Sequence, residues 1–137
     1  MDKQPDIRKA GGVIIKNRRF LVTRARGKDI FVAPGGKLEL GETATQALRR
    51  ELMEELQLRV NEEDVEPIGE FTAQAAGDET KIVRMEVFLV NSLSGEPTPA
   101  GEIEEIMWVN SQTTGAPIGS IFEHDVMPLL KQRDLID

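Results

Sequence analysis

Hydrophobic and polar positions change period several times along the chain, and each period points to an element. Gly12 to Ile15 and Phe20 to Thr23 are short apolar, β-branched runs parted by the polar Lys16, Asn17, Arg18 and Arg19, which predicts a hairpin. A third short strand is predicted over Ile30 to Val32. From about Thr43 to Leu56 the period lengthens. Ala44, Leu48, Leu52 and Leu56 recur at every fourth position as on the buried face of a helix, with Thr43 placed to cap it. Val65 to Phe71, Lys81 to Val90 and Ile106 to Val109 return to strand patterning. In the second of these, Ile82, Arg84, Glu86 and Phe88 alternate with Val83, Met85, Val87 and Leu89. Together these runs predict a sheet of about five or six strands. Asn91 to Gly101, broken by Gly95, Pro97 and Pro99, reads as a loop. The tail from Asp125 to Arg133 reads as a helix with Asp125 as N-cap. Pro128 then falls in the first turn, where its missing N–H costs little.

Composition narrows what such a fold can do. With 137 residues, 39% hydrophobic and 30% charged, the chain fits a single domain spanning 1–137. No run approaches the roughly 18 apolar residues of a membrane span, and the start MDKQPDIRKA lacks the apolar core of a secretory signal. A cytoplasmic protein without membrane contact is expected. The absence of Cys excludes disulfides, thiolate zinc sites and a cysteine nucleophile, and a single His124 argues against Ser/His or two-His chemistry. His124 is read as an exposed or capping residue. A net charge of -7 disfavours binding to a nucleic acid polymer, which needs a basic footprint.

One segment changes this picture. Pro34 to Glu42 carries Gly35, Gly36 and Gly41, which permit positive φ and close approach of the backbone to a ligand, and the predicted helix follows directly. At roughly 100° per residue, Glu51, Glu54 and Glu55 share one edge beside the apolar stripe. Like charges so spaced repel unless a cation sits among them. Mg²⁺ is hard, prefers oxygen ligands, and is the kind of ion that a chain without Cys can hold. The bland alternative is a solvated acidic face balanced by Arg49 and Arg50.

The residues resemble the Nudix hydrolase family. Its pattern G-x5-E-x7-R-E-U-x-E-E-x-G-U, with U a bulky aliphatic residue, is met by Gly36, Glu42, Arg50, Glu51, Leu52, Glu54, Glu55 and Leu58, while Gln57 replaces the last Gly. That position lies at the helix end, where Gly usually adopts a left-handed conformation, so the departure concerns the cap and not the carboxylates. The resemblance implies an α/β/α sandwich around a mixed sheet. It also implies hydrolysis of a pyrophosphate linkage in a nucleoside diphosphate derivative with Mg²⁺, for which Mn²⁺ substitutes. Metal ligands implied by it are Glu51, Glu54 and Glu55, with the Gly35 carbonyl in addition; Glu54 is also assigned to catalysis, and Arg50 orients the carboxylates. The general base comes from varied places in the family. Glu102, in the loop before the strand that bears Trp108, is the choice here over its neighbours Glu104 and Glu105.

Phosphate contacts are expected from Arg24, Arg26 and Lys37, and base stacking from Phe31, although a Phe in an apolar strand is more often core. Trp108 is read as a core anchor. The expected partner is a small nucleotide, most simply a nucleoside triphosphate, with a homodimer left open. Two other readings share the fold. A binding module that does not cleave its nucleotide would generally lack one of the three box carboxylates, all present here, and an isopentenyl diphosphate isomerase would need a Cys.

Overall fold

In the computed structural model, residues 6–75 and 78–137 are described, so the polar first five residues of the start lie outside them. Among the described residues, seven strands form two sheets. The larger has the order β4-β1-β6-β5, built from β4 (Gly35–Lys37), β1 (Ile7–Val13), β6 (Asp78–Val90) and β5 (Val65–Ala75). β1 runs parallel to β6, and the other pairs are antiparallel, so the sheet is mixed. The smaller sheet, β2-β3-β7, comprises β2 (Ile15–Lys16), β3 (Arg19–Ala25) and β7 (Ile103–Val109).

Alternation along the strands feeds two cores. Phe20 and Val22 of β3 join Val13, Val87, Phe122 and Leu130 on the side of the C-terminal helix. Leu21 of the same strand joins Ala10, Ile14, Phe88, Leu48 and Leu52 beneath α1 (Ala44–Leu56). The strand layer is therefore buried on both faces, which gives the α/β/α sandwich. The expected stripe of α1 is all buried. Its N-terminus closes with a capping box: Thr43 Oγ1 accepts from the Gln46 N–H and Gln46 Oε1 from the Thr43 N–H. Its C-terminus ends at Gln57 with φ 57° and ψ 33°, a left-handed residue that carries a side chain.

Several elements differ from the pattern-based expectation. Gly12 and Val13 belong to β1, which pairs with β4 and β6. Only Ile15–Lys16 forms the hairpin with β3, through Asn17 and Arg18, both at positive φ. The chain thus crosses from one sheet to the other at Ile14, which replaces the single sheet expected. Ile30 to Val32 makes isolated bridges to Thr23 and Ile118 instead of a strand. Conversely, the glycine loop contributes β4. Gly35, at φ 144°, packs so tightly on Ala10 that a Cβ would overlap that residue's carbonyl oxygen. The C-terminal helix starts earlier than Asp125, with a π-helical segment Ile121–Val126 running into α2 (Met127–Gln132). Pro128 has no N–H to give, and the wider turn before it closes by the Met127 N–H donating to the Phe122 carbonyl. Among the described residues no helix is long and apolar enough to cross a membrane.

Candidate active site

α1 presents its carboxylates to the glycine loop. Glu55, 6% exposed, accepts a 2.8 Å hydrogen bond at Oε1 from the Gly35 N–H. Burial pushes its carboxyl up to about 8 despite that bond, and the neighbouring Glu51, Glu102 and Glu54 carboxylates push in the same direction. Burial also raises Glu51, against the pull of Arg50. A Cβ at Gly36 would stand 2.7 Å from Glu51 Oε1, so the absence of a side chain there makes room for this carboxylate.

Arg50 is the hub of the loop. Its guanidinium donates twice to Glu42, at 2.8 and 2.9 Å, and also to Glu51 at 2.8 Å, Glu54 at 3.4 Å and the Lys37 carbonyl at 3.1 Å. A forked cation between carboxylates on the loop and on the helix ties the two together. It holds Glu42 down to about 2, helped by the Glu39 N–H. The pattern contains Glu42 eight positions before Arg50, but only the fold reveals the pair.

Glu102 arrives from a different element. One carboxylate oxygen from each of Glu51, Glu55 and Glu102 lies within 4.8 Å of the others. Its loop is clipped to the end of α1: the Thr98 N–H donates to the Leu56 carbonyl at 3.0 Å and the Ala100 N–H to the Glu55 carbonyl at 2.9 Å. The Glu102 carbonyl in turn accepts from the Arg26 N–H. Glu54 stands apart from this trio, with its side chain 57% exposed and turned toward Arg50.

The residues expected to contact phosphate and base lie in different surroundings. Arg24 donates to Glu105 at 3.1 Å, Glu104 at 3.3 Å and the Lys28 carbonyl at 3.1 Å, which uses three of its five N–H groups; these same pairs distinguish Glu104 and Glu105 from Glu102. Phe31 is 5% exposed in the core, with the Arg24 guanidinium 6.0 Å from its ring, and has no free face for a base. Arg26 is exposed. Lys37 faces Lys9 across the β1–β4 pair. Trp108 is half-buried beside the α1 core, with the Lys16 ammonium 5.9 Å from its ring, and His124 is exposed. An open cleft of about 550 Å³ lies beside the loop, between Asp6–Arg8 and Lys37–Glu42, and not over the carboxylate trio.

The trio supplies oxygen donors only, at close mutual range, with one member deeply buried. Such a set fits a hard divalent cation, which would offset the repulsion that the buried carboxylate otherwise carries.

A strand layer of one mixed and one antiparallel sheet between helices, with this loop-and-helix arrangement, defines a class of protein. The family model for the NUDIX domain matches residues 6–129. The chain is 34% identical over 121 residues to the 8-oxo-dGTP diphosphatase of Haemophilus influenzae, covering 85% of this chain and 84% of that protein. It is 32% identical over 101 residues to the oxidized purine nucleoside triphosphate hydrolase of Danio rerio, covering 72% of this chain and 61% of that protein. In fold it is similar to the MutT NUDIX hydrolase from Burkholderia pseudomallei, with a TM-score of 0.73 at 21% identity over 95% of this chain and 98% of that one. The chain belongs to the NUDIX domain family and is a Nudix hydrolase.

Proposed function

We propose that this protein hydrolyses a phosphoric anhydride bond of a nucleoside triphosphate with the help of Mg²⁺, and that oxidised purine nucleotides such as 8-oxo-dGTP are its preferred substrates. The observation that carries the reading is the convergence of Glu51, Glu55 and Glu102 within 4.8 Å beside the glycine loop. The substrate preference rests on the names of the two relatives above. Residues 1–137 act as one domain, in the cytoplasm where free nucleotides are found.

Glu51 and Glu55 are the groups that would hold the ion, with Glu54 and the Gly35 carbonyl at the rim, and Glu102, within 4.8 Å of both carboxylates, stands beside them as the general base. When bound, the ion supplies electrostatic stabilisation of the phosphate charge that develops in the reaction. The chain's own groups do the rest. Arg50 keeps Glu51 and Glu54 oriented toward the substrate. Glu102 takes the proton of the attacking water as its oxygen adds to phosphorus and the anhydride bond breaks. Gly36 leaves the space in which the carboxylates and the phosphate meet.

The test is a panel of nucleoside triphosphates, with 8-oxo-dGTP among them, assayed for nucleoside monophosphate and pyrophosphate. Turnover should require Mg²⁺ or Mn²⁺, vanish with EDTA, and be fastest on the oxidised purine. Glu102→Gln should lower kcat by about 10² to 10⁴ while Mg²⁺ affinity changes little, as for loss of a general base. An equal loss of metal affinity would make Glu102 a ligand instead. A protein that cleaves no member of the panel would refute the reading.

A further inference from the structure

Lys9 and Lys37 are Cα partners in the antiparallel pairing of β1 with β4, so their side chains leave the same face of the sheet at adjacent positions. Alternation along β1 puts Lys9 on the face of Gly11 and Val13. Val13 enters the core beneath α2, and a Cβ at Gly11 would meet Met85 Sδ at 3.1 Å and the Phe122 ring at 3.3 Å. Lys9 is also the partner of Met85 in β6, and Met85 that of Phe71 in β5. A single row across all four strands therefore reads Lys37, Lys9, Met85, Phe71. It is cationic at the glycine-loop end and apolar at the other.

The cationic end is poorly served by the protein itself. Like charges placed directly opposite on a sheet repel. Lys9 is half-buried, and its ammonium is held below the ordinary lysine value by burial and then by the charge of Lys37. Among the described residues neither ammonium has a carboxylate partner. The acidic groups nearby are committed elsewhere: Glu42 to Arg50, Glu86 to Arg8 on the opposite face of the sheet, and Glu55 to the Gly35 N–H. A multiply charged anion lying along the row would relieve the repulsion and meet both donors.

We propose that Lys9, with Lys37, binds the phosphate chain of the substrate, so that Lys9 selects for a linear polyphosphate ester over a nucleotide with one phosphate. The proposal rests on the hydrolase reading given above and adds a substrate-binding residue outside the glycine loop and helix.

The test separates the two readings by using inorganic tripolyphosphate, which has no base or sugar. Calorimetric titration into the whole protein, with and without Mg²⁺, is expected to give binding that Lys9→Gln weakens about tenfold and Lys9→Arg keeps, the size expected for one charge-assisted contact. In nucleotide assays Lys9→Gln should raise KM by a similar factor with kcat nearly unchanged. Its urea midpoint should hold or rise, since a repelling charge has been removed. Tripolyphosphate binding equal to wild type in Lys9→Gln, or none by the wild type under either condition, overturns the proposal. So does a Lys9→Gln protein that loses stability together with binding, because Lys9 would then serve the fold. Lys9-dependent tripolyphosphate binding in a protein that hydrolyses no nucleotide would uphold the anion site and remove the hydrolase reading instead.

Discussion

Glu51 Oε1 occupies the space that a side chain at Gly36 would need, whereas the corresponding space at Gly35 is filled by the backbone of Ala10. Adjacent glycines thus serve different ends. Gly36→Ala can be accommodated by displacing the end of a flexible carboxylate, so the protein should fold with nearly the wild-type urea midpoint but lose most Mg²⁺-dependent turnover. Gly35→Ala meets a carbonyl that cannot move without the strand, and should cost more than about 3 kcal/mol. Comparing urea midpoints and kcat of the two variants checks this; a Gly36→Ala enzyme with wild-type kcat would remove Glu51 from the site.

The Glu42–Arg50 pair predicts an acid-sensitive component of stability. Glu42 is held at about 2 in the folded protein, below its ordinary value near 4.5. A lowered carboxyl stabilises the fold above the unfolded value, and the contribution fades as pH falls through the folded value. Glu42→Gln should therefore be destabilising at pH 7 and nearly neutral close to pH 2. Denaturation midpoints of both proteins across this range would show the difference closing, and a pH-independent gap would contradict the ionic pair.

Glu55 has the opposite sign. Its carboxyl is raised to about 8, so the metal-free fold loses stability as pH climbs from about 4.5 to 8 and the buried group becomes charged. Glu55→Gln keeps an acceptor for the Gly35 N–H without the charge. Free of metal, the variant should melt above the wild type at pH 9 and not at pH 5. Added Mg²⁺ should raise the wild-type Tm at pH 9 and leave the variant unmoved.

The helix cap offers a test of structure without chemistry. Gln57 is left-handed at roughly 1 to 2 kcal/mol for a residue with a Cβ, so Gln57→Gly should stabilise the protein by up to about 1 kcal/mol after the greater unfolded-state entropy of glycine is subtracted. The carboxylates lie before this position, and kcat should hardly change. A large change in kcat at constant urea midpoint would show that Gln57 shapes the site.

Much of this site is local and therefore readable in the residues alone. The fourfold repeat of α1, its Thr43 cap, the left-handed demand at Gln57 and the common edge of Glu51, Glu54 and Glu55 depend only on neighbours in the chain. The alternation of β6 was equally clear, with Val87 and Phe88 entering opposite cores. What the pattern could not carry is pairing at a distance. Nothing near Ile14 announces that the chain changes sheets there, and nothing near Gly35 announces an edge strand on β1. Likewise, Arg24 looks free until Glu104 and Glu105 arrive from a strand some 80 residues on. The trio of Glu51, Glu55 and Glu102 follows the same logic, since two members sit on one helix and the third is brought by a loop.

That loop is registered on the end of α1 by the Thr98 and Ala100 N–H groups, which use the last carbonyls of the helix. A second anchor precedes it, where the Asn91 N–H donates to the Asp64 carbonyl and the Ser94 N–H to the Arg59 carbonyl, so Gly95, Glu96 and Pro97 lie between two fixed points. Insertions there should leave the spacing between Glu102 and the helix intact. The connection can therefore drift in length and sequence, acquiring new surface for recognition, while the reactive centre keeps its dimensions.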